Sequence, residues 1–579
     1  MNNILEKYFN PSNLRLAYYR VQCWTDKTVK DQVGLRAFGL NLEENCEHLS
    51  ELIYSGKYEA RRGVKFYVPK ASMTLRTKTM LFVEDAIVYQ AIANKVAETN
   101  YKVLNDQESF VFGSVLNKEV TKGVSILDEA EPNYFFFKFW KNLFQKFKES
   151  VIHSIEVDKV KYKFETDITG FFDCIPHYNL LAKLSERFGV EDEILDLLSD
   201  CFNVWSGTKD SMTPGVGIPQ GPLPSFLFAN LILHDLDEQI ISHGYKYYRY
   251  MDDIKIYGYD ESELLESLIL IDKYLKGNGL SINSKKTKIE KIDASVEDAT
   301  VKEMKKMVFF GLYDTDEIEM DSLFIEPSKP AINNNKIDKV ASELSEQDST
   351  YTGFDSKVVE VLTEESDIIN YWEQNIEEAS NSLPKLFIDP KAAFNDLELK
   401  EGVDDIDVIQ LSAQYGTSIY KLKQYNPGLN ADDELLKYWL YCYKKYFWRV
   451  NNIGLTLVHY KNNKDLKSIL LSLIQNEFKL YEWVRFNAIQ TLSFSQDFED
   501  KDLRISIFKL LKEEESDLAK ISLYRLLFYH SKNEQFLSTL TNQLKKEKNQ
   551  YLKILITDFK KISRDDEFDI HEFINTIGL

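Results

Sequence analysis

Two adjacent acids, Asp252 and Asp253, lie inside Tyr245-Lys-Tyr-Tyr-Arg-Tyr-Met-Asp-Asp-Ile-Lys-Ile-Tyr-Gly-Tyr259. Strand-forming Tyr and Ile flank them on both sides, which predicts a β-hairpin with carboxylates at its tip. Neighbouring like charges repel, so the pair makes best sense around a cation. Hard divalent ions such as Mg²⁺ take carboxylate oxygens and complete their shell with substrate phosphates. A bare Asp-Asp pair is more often a solvated acidic turn. Its company changes that reading. Upstream, Phe164-Glu-Thr-Asp167-Ile-Thr-Gly-Phe-Phe172-Asp173-Cys-Ile-Pro-His177 is a second strand running into a loop, with one acid at the strand end. Gly217-Ile-Pro219-Gln220-Gly221-Pro-Leu-Pro-Ser225 then leads into an apolar run, 226–233, that begins a helix. After the hairpin come a helix-like stretch from Glu261 to Leu275, Gly279-Leu-Ser-Ile-Asn283-Ser-Lys-Lys286-Thr-Lys288, and Phe309-Phe310-Gly311-Leu312.

In this order and spacing the blocks resemble the palm motifs of reverse transcriptases. Asp167 matches motif A, Pro-Gln-Gly motif B, Tyr-Met-Asp-Asp motif C, Asn-x-x-Lys-Thr-Lys motif D and the Phe-Gly motif E. The resemblance implies nucleotidyl transfer, an in-line displacement at phosphorus in which two Mg²⁺ or Mn²⁺ ions stabilise the attacking and leaving oxygens. Carboxylates must then converge from separate strands. Asp167 and Asp252 are expected to bridge both ions, Asp253 to be a secondary ligand, and the Ile168 carbonyl to complete one shell. Asp173 lies beyond the loop turn and reads as structural. Phe172 stands where the family places an aromatic ring beneath the incoming sugar, which implies exclusion of a ribose 2′-hydroxyl and hence DNA synthesis; its neighbour Phe171 reads as core. Gln220 and the glycines around it imply close approach of a strand or base pair to the backbone. Lys286 is expected either to meet the departing pyrophosphate or to be a plain surface lysine, and the Phe309-Phe310-Gly311 hairpin to contact a primer end.

Upstream, the basic run from Arg61 to Lys78 precedes a good helix starting near Glu84. A basic strand pair ahead of a helix resembles the fingers hairpin that grips a triphosphate. Lys70 and Arg76 are the candidates there, since Lys serves phosphate as a point charge and Arg as a fork. The alternative is that the cluster holds only nucleic-acid backbone.

With 579 residues, 44% apolar and 13% aromatic, the chain supports several cores and is not globally disordered. A net charge of −21 is unexpected for a polyanion-binding enzyme. Either the basic residues gather in one channel, or no long duplex is held. The five cysteines, Cys23, Cys46, Cys174, Cys201 and Cys442, form no C-x-x-C pair and read as free thiols of a reducing compartment. No signal-peptide pattern and no membrane-length apolar run is present, so a cytoplasmic protein with no membrane partner is expected.

The expected fold class is α+β: a right-hand fingers-palm module over 1–325, a polar linker over 326–353, and an all-α domain over 354–579. Three helical blocks recur in the last part, beginning at Trp483, Leu518 and Tyr551 with offsets of 35 and 33 residues. Such spacing suits stacked helical hairpins of a HEAT-like solenoid or, equally in class, a generic helical bundle. Arg525-Leu-Leu-Phe-Tyr-His530 has the Arg-x4-His spacing of HEPN ribonucleases but reads as core packing within the second block.

A reverse-transcriptase palm followed by helical repeats resembles the bacterial abortive-infection (Abi) and phage-defence reverse transcriptases. That resemblance implies antiviral synthesis from dNTPs, untemplated and primed on a tyrosine, with the DNA product covalently attached and a homo-oligomeric assembly. Tyr54 and Tyr58 are the priming candidates. Protein priming would also suit the acidic charge, because a short tethered product needs few phosphate contacts. Two rivals stand beside it: a templated enzyme copying a dedicated non-coding RNA, and a polymerase-derived sensor or scaffold binding a phage protein. Intact Asp167, Asp252 and Asp253 argue against the last.

Overall fold

The computed structural model describes residues 3–24, 29–70, 72–292, 433–458, 460, 463–477, 481–493, 501–529 and 534–562. These fall into two compact units. One lies within Met1–Phe66, Thr77–Phe309 and Leu544–Phe568, the other within Tyr67–Arg76, Phe310–Gln543 and Asp569–Leu579.

The first unit opens with helices α1 (Asn3–Phe9), α2 (Pro11–Gln22), α3 (Gln32–Gly39) and α4 (Leu42–Tyr54). Asn10 caps α2 by accepting from the Asn13 N–H at 2.9 Å, with Pro11 at the first helical position. The expected basic hairpin is β1 (Val64–Pro69) and β2 (Leu75–Met80), and the helix after it is α5 (Val83–Asn105). Then come α6 (Trp140–Glu156), β3 (Tyr162–Thr166), the short α7 (Phe171–Cys174), α8 (His177–Phe188), α9 (Asp192–Trp205), α10 (Leu223–Ser242), β4 (Lys246–Tyr250), β5 (Asp253–Gly258), α11 (Glu261–Gly277) and β6 (Lys288–Lys291).

Four of these strands form one antiparallel sheet in the order β4-β5-β3-β6. Strand alternation gives it two faces. On one lie Phe164 of β3, Ile254 and Ile256 of β5 and Tyr247 of β4, all fully buried. On the other lie Glu165, Lys255 and Asp253, which the ladder registers Glu165↔Lys255 and Tyr250↔Asp253 place side by side. Helix α10 packs on β4, α5 and α8, and it is apolar almost all round, as a helix enclosed by other elements must be. Its start is set by Pro222 and Pro224. Just before it, Gly221 has φ +125°, and a Cβ there would lie 2.5 Å from the Val29 side chain, so only glycine fits.

The second unit contains α12 (Asp433–Lys445), α13 (Val450–Val458), α14 (Lys464–Ser472), α15 (Glu482–Ser493), α16 (Lys501–Glu513), α17 (Asp517–Tyr529) and most of α18 (Glu534–Leu544). Helix α13 packs on α15, and α15 on α17. Two of the three recurrent sequence blocks are therefore packed neighbours. The periodic pattern of the first block predicts one apolar stripe, yet every residue from Glu482 to Leu492 is buried. Its charged members are paired inside: Arg485 donates to both carboxylate oxygens of Glu514 at 2.7 and 2.8 Å, and Ser516 donates to Glu482.

The third block forms α19 (Gln550–Ile562), which packs on α3 in the first unit, with the Tyr551 hydroxyl donating to Asp31 at 2.6 Å. The stretch expected as one block over 354–579 thus contributes helices to both units. The Phe309-Phe310-Gly311 hairpin, the linker 326–353, residues 354–432 and His530 lie outside the described residues; Arg525 is buried in α17.

Phe164 joins β3 to the core between β5 and β6. Phe164→Ala is expected to cost about 3–5 kcal/mol, read as a lower urea midpoint by tryptophan fluorescence. An unmoved midpoint would place that ring outside the core.

Candidate active site

Asp167 follows the last ladder residue of β3. Continuing the β3–β5 register by one step sets it opposite Asp253. Its backbone is pinned from the other side, because the Asn283 N–H donates to the Asp167 carbonyl at 2.8 Å and the Thr169 N–H donates to Ser281 at 2.9 Å. Motifs A and D of the sequence are thus one backbone clasp. Asp252 sits in the two-residue turn between β4 and β5. Its partner in that turn, Met251, has φ +53°, a conformation costly for a side chain other than glycine's. Gly113 backs the turn so closely that a Cβ there would lie 2.5 Å from the Met251 nitrogen.

The convergence is visible in the electrostatics. Asp253 ionises with difficulty: its carboxyl is pushed up to about 6, first by desolvation and then by Glu165, Asp252 and Asp167, with Lys255 opposing. Its side chain is still 36% exposed, so solvent reaches the rim while protein crowds the rest. Lys255 pairs with Glu165 at 2.9 Å and lies 3.8 Å from Asp253. Lys286 pairs with one oxygen of Asp167 at 2.8 Å. The other oxygen, Oδ1, is buried and has no hydrogen-bond partner among the described residues. An orphaned carboxylate oxygen among further carboxylates is a donor set that suits a hard cation, so the residues fit Mg²⁺ or Mn²⁺.

The other expected site residues are placed as follows. Ile168 is buried beside Asp167 and bridges to Ile282. Phe172 is buried on α7, edge-on to Phe226 at 5.2 Å, with Phe171 equally buried beside it. Asp173 acts on Lys65, a buried ammonium lowered to about 7 by desolvation. The Gln220 carbonyl accepts the Thr79 N–H at 3.0 Å, tying the Pro-Gln-Gly turn to β2. Lys70 lies in the turn that follows β1 and Arg76 in β2, both in the segment that belongs to the second unit. Lys286 is on Asp167. Neither tyrosine candidate offers an open hydroxyl: Tyr58 donates to Asp85 at 2.6 Å, and the Tyr54 oxygen is buried.

Three contributors escaped the sequence reading. Glu165 and Lys255 join the acidic face, and strand alternation from Asp167 and Asp253 would have found both. Arg249 supports the turn from inside the core, and a lone arginine in a tyrosine-rich strand gave no signal. Elsewhere, His234, Asp235 and Glu238 have metal-like spacing, but Lys183 and Arg187 already pair with the two acids.

Residues 109–314 match the family model described as reverse transcriptase (RNA-dependent DNA polymerase). That part of the chain is a reverse-transcriptase family domain, and it contains all three clustered aspartates. The chain is 38% identical over 77 residues to an uncharacterized 91 kDa protein in the cob intron of Schizosaccharomyces pombe, a match covering 13% of this chain and 9% of that protein. Among solved structures it is similar to telomerase from Candida albicans in complex with a fragment of telomeric RNA, at 11% identity and TM-score 0.33, over 76% of this chain and 64% of that one. Telomerase from Candida tropicalis gives 13% and 0.30, over 76% and 68%. The chain thus spans a small part of the curated relative and under two thirds of the first telomerase. No helix among the described residues is long and apolar enough to cross a membrane.

A carboxyl whose ionisation the fold pushes from 3.8 to about 6 destabilises the metal-free protein only when charged. In EDTA, Asp253→Asn is therefore expected to raise the melting temperature at pH 8, the gain vanishing towards pH 4. Mg²⁺ at a hundredfold its Kd stabilises a binding site by about 2.7 kcal/mol. Wild type is expected to show that rise in melting temperature and Asp252→Asn to lose it. Equal Mg²⁺ responses in the two proteins would refute the cation site.

Proposed function

We propose that the protein is an RNA-directed DNA polymerase-type nucleotidyltransferase that adds deoxynucleotides to a 3′-hydroxyl. The observation that carries the reading is the meeting of Asp167, Asp252 and Asp253 at one end of the sheet, with a buried Asp167 oxygen that finds no partner among the described residues. Bound divalent ions would stabilise both the attacking and the leaving oxygen of an in-line phosphoryl displacement. Asp167, Asp252 and Asp253 hold the charge that binds them, with the Ile168 carbonyl as a further oxygen donor. Lys286 pairs with Asp167, and a cation that takes its place there would let it turn towards the departing pyrophosphate. Phe172 limits the room under the sugar, Gln220 lines the approach of the base pair, and Lys70 and Arg76 bind triphosphate. Removing an aspartate is expected to abolish turnover and leave substrate affinity little changed, because its contribution is made in the transition state.

We further propose the phage-defence reading: untemplated, protein-primed synthesis by a homo-oligomer, with a module over 1–325, a linker over 326–353 and a helical-repeat domain over 354–579. Support comes from the net charge of −21 and from the successive packing of α13, α15 and α17. The enclosure of the Tyr54 and Tyr58 hydroxyls favours a different tyrosine as primer. The templated enzyme copying a non-coding RNA remains the second reading, carried by the family match over 109–314.

Purified protein with Mn²⁺ or Mg²⁺ and single radiolabelled dNTPs, with and without added RNA, separates these readings. Labelled protein that survives denaturation and is released by nuclease supports priming on the chain; RNA-dependent product alone supports templated copying. No incorporation under any condition, or equal incorporation by Asp252→Asn, would overturn the polymerase reading. Phe172→Ala, with its folding checked by circular dichroism, is expected to gain ribonucleotide incorporation about 10-fold or more, in line with about 1.4 kcal/mol of lost steric discrimination.

A further inference from the structure

Arg249 lies on the core face of β4, 1% exposed, two residues before the turn that carries Asp252. Its guanidinium divides among three partners. Nε and Nη2 grip both oxygens of Asp237 on α10 at 2.8 and 2.6 Å. Nη1 donates to Asn230 of α10 at 2.9 Å and to the Met251 carbonyl at 2.7 Å. That carbonyl belongs to the positive-φ residue of the turn, whose next residue is Asp252. Asn230 passes its other side to the Gly113 carbonyl at 2.9 Å, and Gly113 abuts the Met251 nitrogen. The Tyr247 hydroxyl donates to Asp237 as well. The Arg249 backbone is bound on both sides, donating to Phe110 and accepting from Phe112, each at 2.8 Å. The turn is thus held at its carbonyl by Arg249 and closely approached at its nitrogen by the Gly113 backbone, and Asn230, on the helix that follows Pro-Gln-Gly, bonds to both residues.

We infer that Arg249 is a positioning residue: anchored on Asp237 and Asn230, it fixes the Met251 peptide and so the aim of the Asp252 and Asp253 carboxylates at the cation site. This rests on the reading of those aspartates as metal ligands. Three directions must be served at once. A guanidinium supplies them with a rigid fork, whereas the ammonium of a lysine is a single point charge. A strained turn with charged groups on its rim keeps its shape only if its surroundings over-determine it.

Manganese binding to the metal-free chain, followed by electron paramagnetic resonance, reads the aim of the carboxylates without turnover. Arg249→Lys, Asn230→Ala and Gly113→Ala are compared with wild type and Asp252→Asn. Groups that orient metal ligands typically govern affinity or activity by 10–100-fold. We expect Arg249→Lys to weaken Mn²⁺ binding about 10-fold and to lower kcat about 10–100-fold, with KM for dNTP within about 3-fold. Gly113→Ala moves the turn from its other side without touching the buried ion pair, and a similar loss is expected. Should Arg249→Lys not fold, Asn230→Ala and Gly113→Ala decide.

Folded variants that bind Mn²⁺ and turn over as wild type does would overturn the inference. Wild-type Mn²⁺ binding that Asp252→Asn leaves unchanged would overturn it too, by removing the metal site. Wild type that binds Mn²⁺ through Asp252 yet polymerises nothing would sink the functional reading alone, and weakened binding in the variants would still establish the positioning role.

Discussion

Four carboxylates, those of Glu165, Asp167, Asp252 and Asp253, are drawn to one end of one sheet, and their mutual repulsion is the constraint that the neighbouring structure has to meet. Partial neutralisation comes from two lysines: Lys255 bonded to Glu165, and Lys286 bonded to Asp167. Neither removes the conflict, since burial and three neighbouring acids still make Asp253 hard to ionise. A cation-binding site differs from an ion-paired one in this respect. Charge that the protein's own lysines leave unbalanced is what a divalent ion would stabilise.

The strain is met on the opposite face of the same sheet. Strand alternation puts Tyr247 and Arg249 on one face and Tyr250 and Asp253 on the other. Inward, Arg249 and Asp237 form a fully buried bidentate pair. Breaking such a pair by removing one partner costs about 3–5 kcal/mol, because the other charge is left uncompensated. The acidic edge therefore sits on an anchor that is itself expensive to disturb. The same helix, α10, starts just after the Pro-Gln-Gly turn, whose Gln220 carbonyl holds the Thr79 N–H of β2. One rigid element thus connects the basic hairpin, the apolar core and the aspartate turn. The clasp of 281–283 against 167–169 adds a second connection.

Much of this was legible in the residues. Tyr-Met-Asp-Asp between two tyrosine- and isoleucine-rich runs specified a hairpin with acids at its tip, and a hairpin is there. Phe164-Glu-Thr-Asp167 specified a strand ending on an acid, and β3 ends one residue before it. Local pattern suffices in such cases because strand alternation and turn chemistry act over a few residues. The helical part was less legible. The block from Trp483 to Leu492 carried a one-stripe pattern yet is buried on every side, with Arg485 paired to Glu514. The block at Tyr551, alike in pattern, packs on α3, an element far from it in sequence. Periodicity states which face is apolar and is silent about which partner covers it.

By itself, the sequence determined where the residues able to do chemistry stand: three aspartates at strand ends, a glycine-bounded turn before an apolar helix, and a lysine motif after the hairpin, each set by residue type and short spacing. Only the tertiary structure decided which side chains share that chemistry. It brought Glu165 and Lys255 into the acidic face, put Lys286 on Asp167, enclosed the Tyr58 hydroxyl against Asp85 and seated Arg249 beneath the turn. The physical reason is range. Backbone preference is written within a few residues, whereas Coulombic pairing, desolvation and packing depend on distance in space, and no local pattern encodes that Arg249 will meet Asp237 and Asn230 on a helix across the core.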